Sequence, residues 1–319
     1  MFYAGGVTPI PHTDAASAAP IQDGARIDLH THSVRSDGRG TPAQVMAEAK
    51  AAGLDIVALT DHDTVAGWDE ARAEAQRIGL GFVPGIELTT RVQRDTQHKF
   101  TVHLLAYLPD PNNVQLKRIL GESVSSRVDR LQAITERLSE DFDITWEHVL
   151  EVLADGKVAG RPAIADAMIE RGIIDSREPF FDWVRPGTKY YVPNRGVPET
   201  VDAIGLVRAA GGVPIVAHPM ARGGGPKPGE PMPRAHFLEL IEAGLAGFEA
   251  HHRDVPAYAT DWFVQLAAEF HLLVTGSSDY HGTGKPNRLG ENLTAPKVLR
   301  SIIGQSANPA LASLSYGID

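Results

Sequence analysis

The chain has 319 residues, which is room for one large α/β domain or for a medium domain with a smaller one. Hydrophobic residues make up 43% and charged residues 22%, so the sequence can build a packed core and is not globally disordered. The net charge of −10 disfavours a protein that grips long nucleic acid or an anionic membrane by bulk charge. Because the sequence contains no cysteine, disulfides, thiolate metal sites and cysteine nucleophiles are excluded, and a metal would be bound by histidine and carboxylate.

The first 25 residues are rich in Ala, Gly, Pro and Ser and contain no Lys or Arg. Without a basic segment they lack the pattern of a secretory signal, and no apolar run approaches the roughly 18 residues that a membrane span needs. We therefore expect residues 1–25 to form a flexible arm, and the protein to be cytoplasmic with no membrane partner.

A strand–helix alternation begins near residue 26. Thr41 is typical of a helix N-cap and Pro42 of the first helical position, and Gly53 is placed to end that helix. Short, continuous apolar runs are typical of buried parallel strands. In this first part we predict strands over 27–32, 55–60, 81–87 and 101–107, and helices over 42–52 and 68–78.

The alternation is interrupted from about residue 112 to 195, where the sequence is helical in pattern. Helices are predicted there over 114–140 and 146–153, and from Arg161 onward. The alternation then resumes with strands over 212–217, 245–250 and 272–276 and helices over 198–210, 234–243 and 256–270. Seven short parallel strands alternating with helices indicate an α/β fold, and a closed barrel would leave no strand edge exposed.

Histidines and carboxylates gather near the ends of these predicted strands. His30 and His32 are two residues apart on one predicted strand, so their side chains point to the same face. In five strands the polar residues clearly follow the carboxyl end, which is the edge where barrel enzymes carry their active sites. The candidates in chain order are Asp28, His30, His32, Asp37, Asp61, His62, Asp63, Glu87, His98, His103, His218, Glu249, His251, His252, Asp279 and His281.

Histidine and carboxylate ligands without thiolates suit Mn²⁺, Fe²⁺ or Zn²⁺, and a carboxylate can bridge two ions. The candidate ligands are too many for one ion, so two or three divalent ions about 3.5–4 Å apart are the simplest interpretation. Such a cluster is typical of hydrolases that cleave phosphate esters.

Several motifs in this order resemble those of the PHP (polymerase and histidinol phosphatase) superfamily of metal-dependent phosphoesterases. The matching segments are IDLHTHS at 27–33, SDG at 36–38, TDHD at 60–63, PGIE at 84–87, AHP at 217–219 and SDYH at 278–281. The resemblance implies a distorted (β/α)7 barrel over residues 26–111 and 196–319, with a helical insertion domain over 112–195 that covers the substrate. The ligands it implies are His30, His32, Asp37, His62, Glu87, His103, His218, Asp279 and His281, with Glu87 as the bridging carboxylate.

The long insertion, with Gly160-Arg161-Pro162, most resembles the stand-alone branch of that superfamily. That branch acts on nucleoside 3′,5′-bisphosphates and on the 5′ ends of short oligoribonucleotides, so the resemblance implies a metal-dependent phosphatase or phosphodiesterase. Two positions depart from its pattern. Ala163 stands where relatives tend to have His, and the spacing between His98 and His103 leaves open which of the two is the ligand; we prefer His103 because it begins a strand.

For mechanism, we expect a hydroxide shared by two metals to attack the phosphorus in line. Asp37, Glu87, His218 and Arg161 are the expected catalytic residues. Arg161, with Arg127 or Arg130, would clamp a second phosphate, because arginine suits bidentate phosphate contacts.

Other residues are expected in supporting roles. Asp28 and Asp61 would orient ligands, and Tyr190 or Tyr191 would stack on a base. Acidic and basic residues nearly balance within the insertion, which favours a nucleotide or short oligonucleotide over long RNA.

Three other functions are compatible with parts of the pattern. One is a phosphatase for histidinol phosphate, which would need no clamp for a second phosphate. Another is a metal-binding module without catalytic activity, which predicts missing ligands. The third is an amidohydrolase, although no lysine lies among the motifs to bridge its metals. The oligomeric state is left open.

Overall fold

The structure, a computed structural model, describes residues 21–91, 101–153, 160–193, 196–221, 230 and 232–314. Its strands are β1 (Ile27–Asp28), β2 (Ile56–Leu59), β3 (Gly81–Arg91), β4 (Thr101–Tyr107), β5 (Val213–Val216), β6 (Gly247–His251) and β7 (Leu273–Gly276). The helices in the described residues are α1 (Pro42–Ala51), α2 (Trp68–Arg77), α3 (Val114–Leu138), α4 (Trp146–Leu153), α5 (Arg161–Glu170), α6 (Glu178–Trp183), α7 (Thr200–Ala209), α8 (Arg234–Glu242), α9 (Ala257–Glu269) and α10 (Pro296–Gln305).

The seven strands form one sheet in chain order, from β1 to β7. The sheet curves round until its two ends meet: Thr31 forms a parallel bridge with Tyr280, and the His32 amide donates to the Tyr280 carbonyl at 2.8 Å. The result is a nearly closed seven-stranded barrel with helices around it. This confirms the predicted distorted (β/α)7 barrel of the PHP type.

One strand does not run parallel to its neighbours, contrary to the prediction. β4 pairs antiparallel with β3, from Gly85 opposite Tyr107 to Arg91 opposite Thr101, and antiparallel with β5. The remaining pairs are parallel. A parallel connection needs a crossover of a dozen or more residues, and the nine residues between β3 and β4 are too few for one.

The first strand is shorter than predicted, and its histidines lie beyond it. β1 ends at Asp28, so His30 and His32 belong to the segment that follows the strand rather than to the strand itself. The segment still follows the register of β2, because the Thr60 amide donates to the Thr31 carbonyl at 2.9 Å, and Thr31 also forms a bridge with Tyr280 beyond β7. The two imidazoles still reach one site, as described below.

The helix signals in the sequence agree with the structure. Thr41 caps α1 in a capping box, accepting from the Gln44 amide while the Gln44 side chain accepts from the Thr41 amide. Gly53 follows with φ of +74°, a conformation that favours glycine. Two helices were not predicted, α6 in the insertion and α10 near the end of the described chain.

The described residues contain three hydrophobic clusters. One lies between the strands and the outer helices α1, α2, α7, α8 and α9. A second includes inward-facing strand residues and the buried face of α10, with Leu299 and Ile302 fully covered. The third belongs to the insertion, where α3, α4, α5 and α6 pack around Ile134, Ile164 and Phe180.

Residues 21–25, which were expected to belong to the flexible arm, include two buried residues. Ile21 and Ala25 are buried in the second cluster, and Arg300 of α10 donates to the Ile21 carbonyl at 2.7 Å. Residues 21–25 therefore pack on the barrel because two apolar side chains there find a place in its core; residues 1–20 lie outside the described part. In the described chain, none of the helices combines the length and the apolar character that crossing a bilayer requires.

Candidate metal centre

The candidate ligands lie at one rim of the barrel. Segments that follow β1, β2, β5 and β7 carry most of them, and Glu87 lies within β3. His103 lies near the start of β4, and because β4 is antiparallel its beginning lies at the same rim as the ends of the parallel strands. The antiparallel direction of β4 thus explains how His103, near the start of its strand, reaches the same site as residues that follow the ends of the parallel strands.

The backbone is strained at this rim. His218 and Asp279 have positive φ angles of 26° and 54°, and so does Asp63 beside His62, at 53°. Non-glycine residues adopt this conformation only where the surroundings enforce it, and such residues cluster at functional sites.

All nine predicted ligands come together in three overlapping groups. Within each group the ligand atoms all lie within 4.8 Å of one another. The groups are His32, Asp37, His62 and His281; His30, Glu87, His218 and Asp279; and His62, Glu87 and His103. Two residues, His62 and Glu87, belong to two groups each. His98, the alternative to His103, lies outside the described residues.

Glu87 is the centre of the cluster. Its Oε1 lies 2.7 Å from His103 Nδ1 and 3.0 Å from His218 Nε2. Its Oε2 lies 3.1 Å from His30 Nε2 and 3.0 Å from His32 Nε2. A buried carboxylate with imidazoles around both oxygens has the arrangement of a bridging ligand, the role expected from the sequence.

Asp37 and Asp279 hold the other side of the cluster. Asp37 Oδ1 lies 3.1 Å from His281 Nε2, and Asp279 Oδ1 lies 3.2 Å from His32 Nε2. The second oxygen of Asp279 faces away from these imidazoles and accepts from Lys285 Nζ at 3.0 Å.

The electrostatics of the cluster favour added positive charge. Burial opposes protonation of His32, but its hydrogen bonds to the Asp279 and Glu87 carboxylates outweigh burial and raise its pKa to about 9. Burial disfavours the Glu87 carboxylate, yet the surrounding His62, His30 and His103 hold its pKa well below the usual range. The carboxylates thus remain charged in the interior and need cations to balance them.

The donor set fits divalent ions. His62 Nδ1 and His281 Nε2 are buried and make no hydrogen bond, although carboxylate oxygens lie 3.3 Å and 3.1 Å away. Buried polar nitrogens without a hydrogen bond are costly unless another partner satisfies them. Imidazole and carboxylate groups are the ligands that Zn²⁺, Fe²⁺ and Mn²⁺ bind, and here they point at a common centre.

Residues behind the ligands fix their orientation. Asp61 accepts from Ser33 and, at 2.5 Å, from Ser36 Oγ, which lies 3.3 Å from His32 Nδ1. Asp28 accepts from the amides of Ser278 and His30, and burial raises its pKa to about 6. Both supporting aspartates therefore lie where the sequence analysis expects them.

A third supporting carboxylate, Glu249, is among the candidates at the strand ends but is not one of the nine predicted ligands. Glu249 is fully buried and accepts from His30 Nδ1 and from the His218 amide, both at 3.0 Å. Its position at the end of a predicted strand was noticed, but nothing in the sequence told it apart from a ligand. The buried His252 lies close by, with Nε2 3.9 Å from Asp279 Oδ2.

The insertion brings Arg127 to the rim of the metal centre and gathers two further arginines near it. Arg127 pairs with Asp63 and lies 3.4 Å from Thr89 Oγ1. Arg130 donates to the Val192 carbonyl at 2.7 Å, and burial together with the charges of Arg161 and Arg127 lowers its pKa to about 10. The three predicted phosphate contacts are therefore near enough to one another to interact.

The expected base-stacking role does not fit Tyr190. Its hydroxyl donates to Asp141 at 2.6 Å, and its ring packs beside Phe142 and Trp183 within the insertion. Tyr190 therefore stabilises the insertion, because its ring and its hydroxyl are both engaged there. For Tyr191, whose carbonyl accepts from Arg137 at 2.6 Å, stacking stays a prediction.

Comparison with known proteins agrees with this geometry. A model of the PHP domain matches residues 28–162. The 3′,5′-nucleoside bisphosphate phosphatase of Chromobacterium violaceum is 28% identical over 87% of this chain and 95% of its own length. A 5′-3′ exoribonuclease of Haemophilus influenzae is 27% identical over 84% of this chain and 94% of its own. A phosphoribosyl 1,2-cyclic phosphate 1,2-diphosphodiesterase of Eggerthella lenta is 28% identical over 80% of this chain and 94% of its own.

A solved structure extends the agreement to three dimensions. A candidate metal-dependent phosphoesterase from Bifidobacterium adolescentis superposes with a TM-score of 0.79 at 38% identity, over 89% of this chain and 97% of that chain. The match covers the barrel and the insertion together, and the ligand-type residues are present at every motif. The chain therefore belongs to the PHP family and is a metal-dependent phosphoesterase.

Proposed function

We propose that this phosphoesterase hydrolyses a phosphate ester bond in nucleotides that carry a second phosphate. The substrates are nucleoside 3′,5′-bisphosphates, at their 3′-phosphate, or the 5′ ends of short oligoribonucleotides. The observation that carries the proposal is the position of Arg127, which pairs with Asp63 next to the ligand His62 and lies near Arg130, whose charge also interacts with that of Arg161. The activities named for the relatives in Chromobacterium violaceum and Haemophilus influenzae support it.

Three divalent ions, one for each group of ligands, would account for all nine side chains. His62 and Glu87 belong to two groups each; the Glu87 carboxylate could be shared between ions, whereas a neutral imidazole such as His62 would bind one. When bound, such ions act as Lewis acids and lower the pKa of water towards neutrality. His103, His62, His218 and Asp37 are the more exposed members of the cluster and so define the side from which substrate enters.

The reaction is hydrolysis of a phosphate ester. Water adds across the phosphorus–oxygen bond, so that a nucleoside 3′,5′-bisphosphate yields orthophosphate and the nucleoside 5′-phosphate. Arg161 and Arg127 would contact the phosphate that is not cleaved, through charge-assisted hydrogen bonds. Arg130, whose Nε is engaged by the Val192 carbonyl, would add positive charge and hold the insertion in place.

The test compares phosphate release from adenosine 3′,5′-bisphosphate, AMP, histidinol phosphate and phosphoribosyl 1,2-cyclic phosphate by the Mn²⁺-loaded protein. We expect the bisphosphate to be preferred. In Arg161→Ala the KM for the bisphosphate should rise about tenfold, the effect of losing one hydrogen bond to a charged group, with AMP little changed.

Arg118→Ala is the matched control, because Arg118 lies on α3 like Arg127 but is exposed and pairs with Glu122. Its KM should equal that of the unaltered protein. Preferred turnover of histidinol phosphate or of the cyclic phosphate would contradict the proposal. So would an unchanged KM in both Arg161→Ala and Arg127→Ala.

A further inference from the structure

A second group of cations borders the metal centre, apart from the three arginines discussed above. A narrow cleft with a volume of about 40 Å³ runs between the segment that holds Asp37 and the helices α4 and α5 of the insertion. Arg39 lines it from the barrel, and Asp166 and Arg177 line it from the insertion. None of these three residues figured in the sequence analysis.

The two arginines share one carboxylate unequally. Arg177 binds Asp166 through two parallel hydrogen bonds of 2.6 Å, the geometry of a strong bidentate pair. Arg39 reaches the same carboxylate only at 3.5 Å, and its side chain is 38% exposed. Arg39 is therefore the weakly held partner: Arg177 already engages Asp166, and the other carboxylate of the cleft, Asp37, belongs to the metal cluster.

The backbone holds Arg39 next to the chemistry. It is two residues after Asp37, and its amide donates to the carbonyl of His281 at 3.1 Å. Its side chain lies against Gly282 and Gly284, which leave room for it because they have no side chains. The backbone of Arg39 is thus fixed between two segments that carry metal ligands. Its guanidinium can still exchange Asp166 for another anion.

The side of the cleft that α5 forms carries a small side chain where an anion would approach. Ala163 lines the cleft from α5. With only a methyl group there, an incoming phosphate can approach Arg39 and Arg177. The remaining carboxylate of the cleft, Asp37, lies on the barrel side and is directed at the metal cluster, with Oδ1 3.1 Å from His281 Nε2.

We propose that this cleft is a subsite for a further phosphate group of an extended substrate, with Arg39 as its cationic contact. The inference rests on the proposed function and deepens it. In the proposed function the metal centre binds one phosphate group and the insertion arginines bind a second. A third cationic contact at Arg39 therefore suits a substrate that has three phosphate groups. That chemistry is a short 5′-phosphorylated oligoribonucleotide rather than a mononucleotide.

The experiment compares KM and kcat for adenosine 3′,5′-bisphosphate, which has two phosphates, and the 5′-phosphorylated triadenylate, which has three. In Arg39→Ala we expect the KM for the triadenylate to rise about tenfold, with the bisphosphate KM and both kcat values unchanged. Arg39→Lys should recover part of the loss because it keeps the charge.

The variant Asp166→Asn distinguishes two roles for Arg39: binding an anion of the substrate, or forming an ion pair that only connects the barrel to the insertion. If Arg39 serves the substrate, removing its competing carboxylate leaves the triadenylate KM unchanged or lower. If Arg39 only ties the two parts together, Asp166→Asn and Arg39→Ala both raise KM for both substrates, and the proposal is overturned.

Arg35→Ala is the matched control, because Arg35 lies in the same segment with a side chain 40% exposed but pairs with Glu70 on α2. It should leave both KM values unchanged. Equal KM values in Arg39→Ala and the unaltered protein, with turnover intact, would overturn the subsite alone. Absence of turnover of every phosphate ester by the unaltered protein would overturn the proposed function instead.

Discussion

Glu249 shows how much of the site depends on residues that touch no substrate. It lies behind His30 and His218 and accepts one hydrogen bond from each of them. A carboxylate in this position fixes which ring nitrogen of His30 carries the proton, and so leaves Nε2 facing Glu87. Its contribution is orientation, which is visible only when the three residues are seen together.

We expect Glu249→Gln to lower metal affinity or activity about 10–100-fold, as is typical when such a partner of a ligand is changed. The side chain keeps its size but loses the charge that orients His30. The measurement is metal content by mass spectrometry and kcat over a metal titration. Glu242→Gln, at the exposed end of α8, is the control and should match the unaltered protein. Equal metal affinity in both variants would contradict an orienting role for Glu249.

At the scale of local elements, the turn after the first two histidines positions Asp37. The Gly38 amide donates to the Ser33 carbonyl at 2.9 Å, which folds the turn tightly against His32. A Cβ at position 38 would lie 2.6 Å from the carbonyl carbon of His32, closer than side-chain carbons approach backbone. Glycine is required here by a close approach and not by a positive φ.

Gly38→Ala should therefore displace Asp37 and cost at least about 1 kcal/mol of unfolding free energy, since the native backbone cannot accept the methyl group. Urea denaturation and the apparent metal affinity measure the two effects. Gly40→Ala is the comparison: its Cβ would meet nothing nearer than 3.5 Å, so it should be neutral or slightly stabilising. A result in which both variants behave alike would rule out the close approach as the reason for Gly38.

At the scale of the whole molecule, metal binding and stability are coupled. The cluster buries Glu87, Asp279, His30, His32 and His281 from widely separated parts of the chain, and the unfolded chain offers no such site. Ions that bind only the folded state stabilise it by mass action. Carboxylates buried close together destabilise the folded protein when no cation is bound. When cations bind, the same carboxylates stabilise it.

We expect a chelator to lower the Tm, and added Mn²⁺ at 100 times its Kd to restore about 2.7 kcal/mol of stability. Differential scanning fluorimetry across a metal titration measures the shift. In Glu87→Gln, which removes a carboxylate shared by two of the three ligand groups, the metal-dependent shift should shrink strongly. A Tm that does not respond to metal in the unaltered protein would contradict the coupling.

Much of the fold and of the ligand set could be predicted because both leave local signals. Thr41, Pro42 and Gly53 mark the first helix by cap chemistry that needs no tertiary contact. The nine ligand-type residues stand in short motifs at strand ends, and the structure brings all nine together. The direction of β4 could not be predicted in this way, because an apolar run has the same pattern in either direction.

The sequence alone determined the alternation of strands and helices, the exclusion of thiolate chemistry and the identity of the candidate ligands, since composition and periodicity are properties of the chain itself. Only the tertiary structure decided which groups meet. It placed His103 at the ligand rim by reversing β4, set Glu249 behind two ligands, and brought Arg39 to Asp166 and Arg177 across the cleft. These pairings join residues far apart in the chain, and their distances are fixed by barrel closure and by the docking of the insertion, which no local pattern encodes.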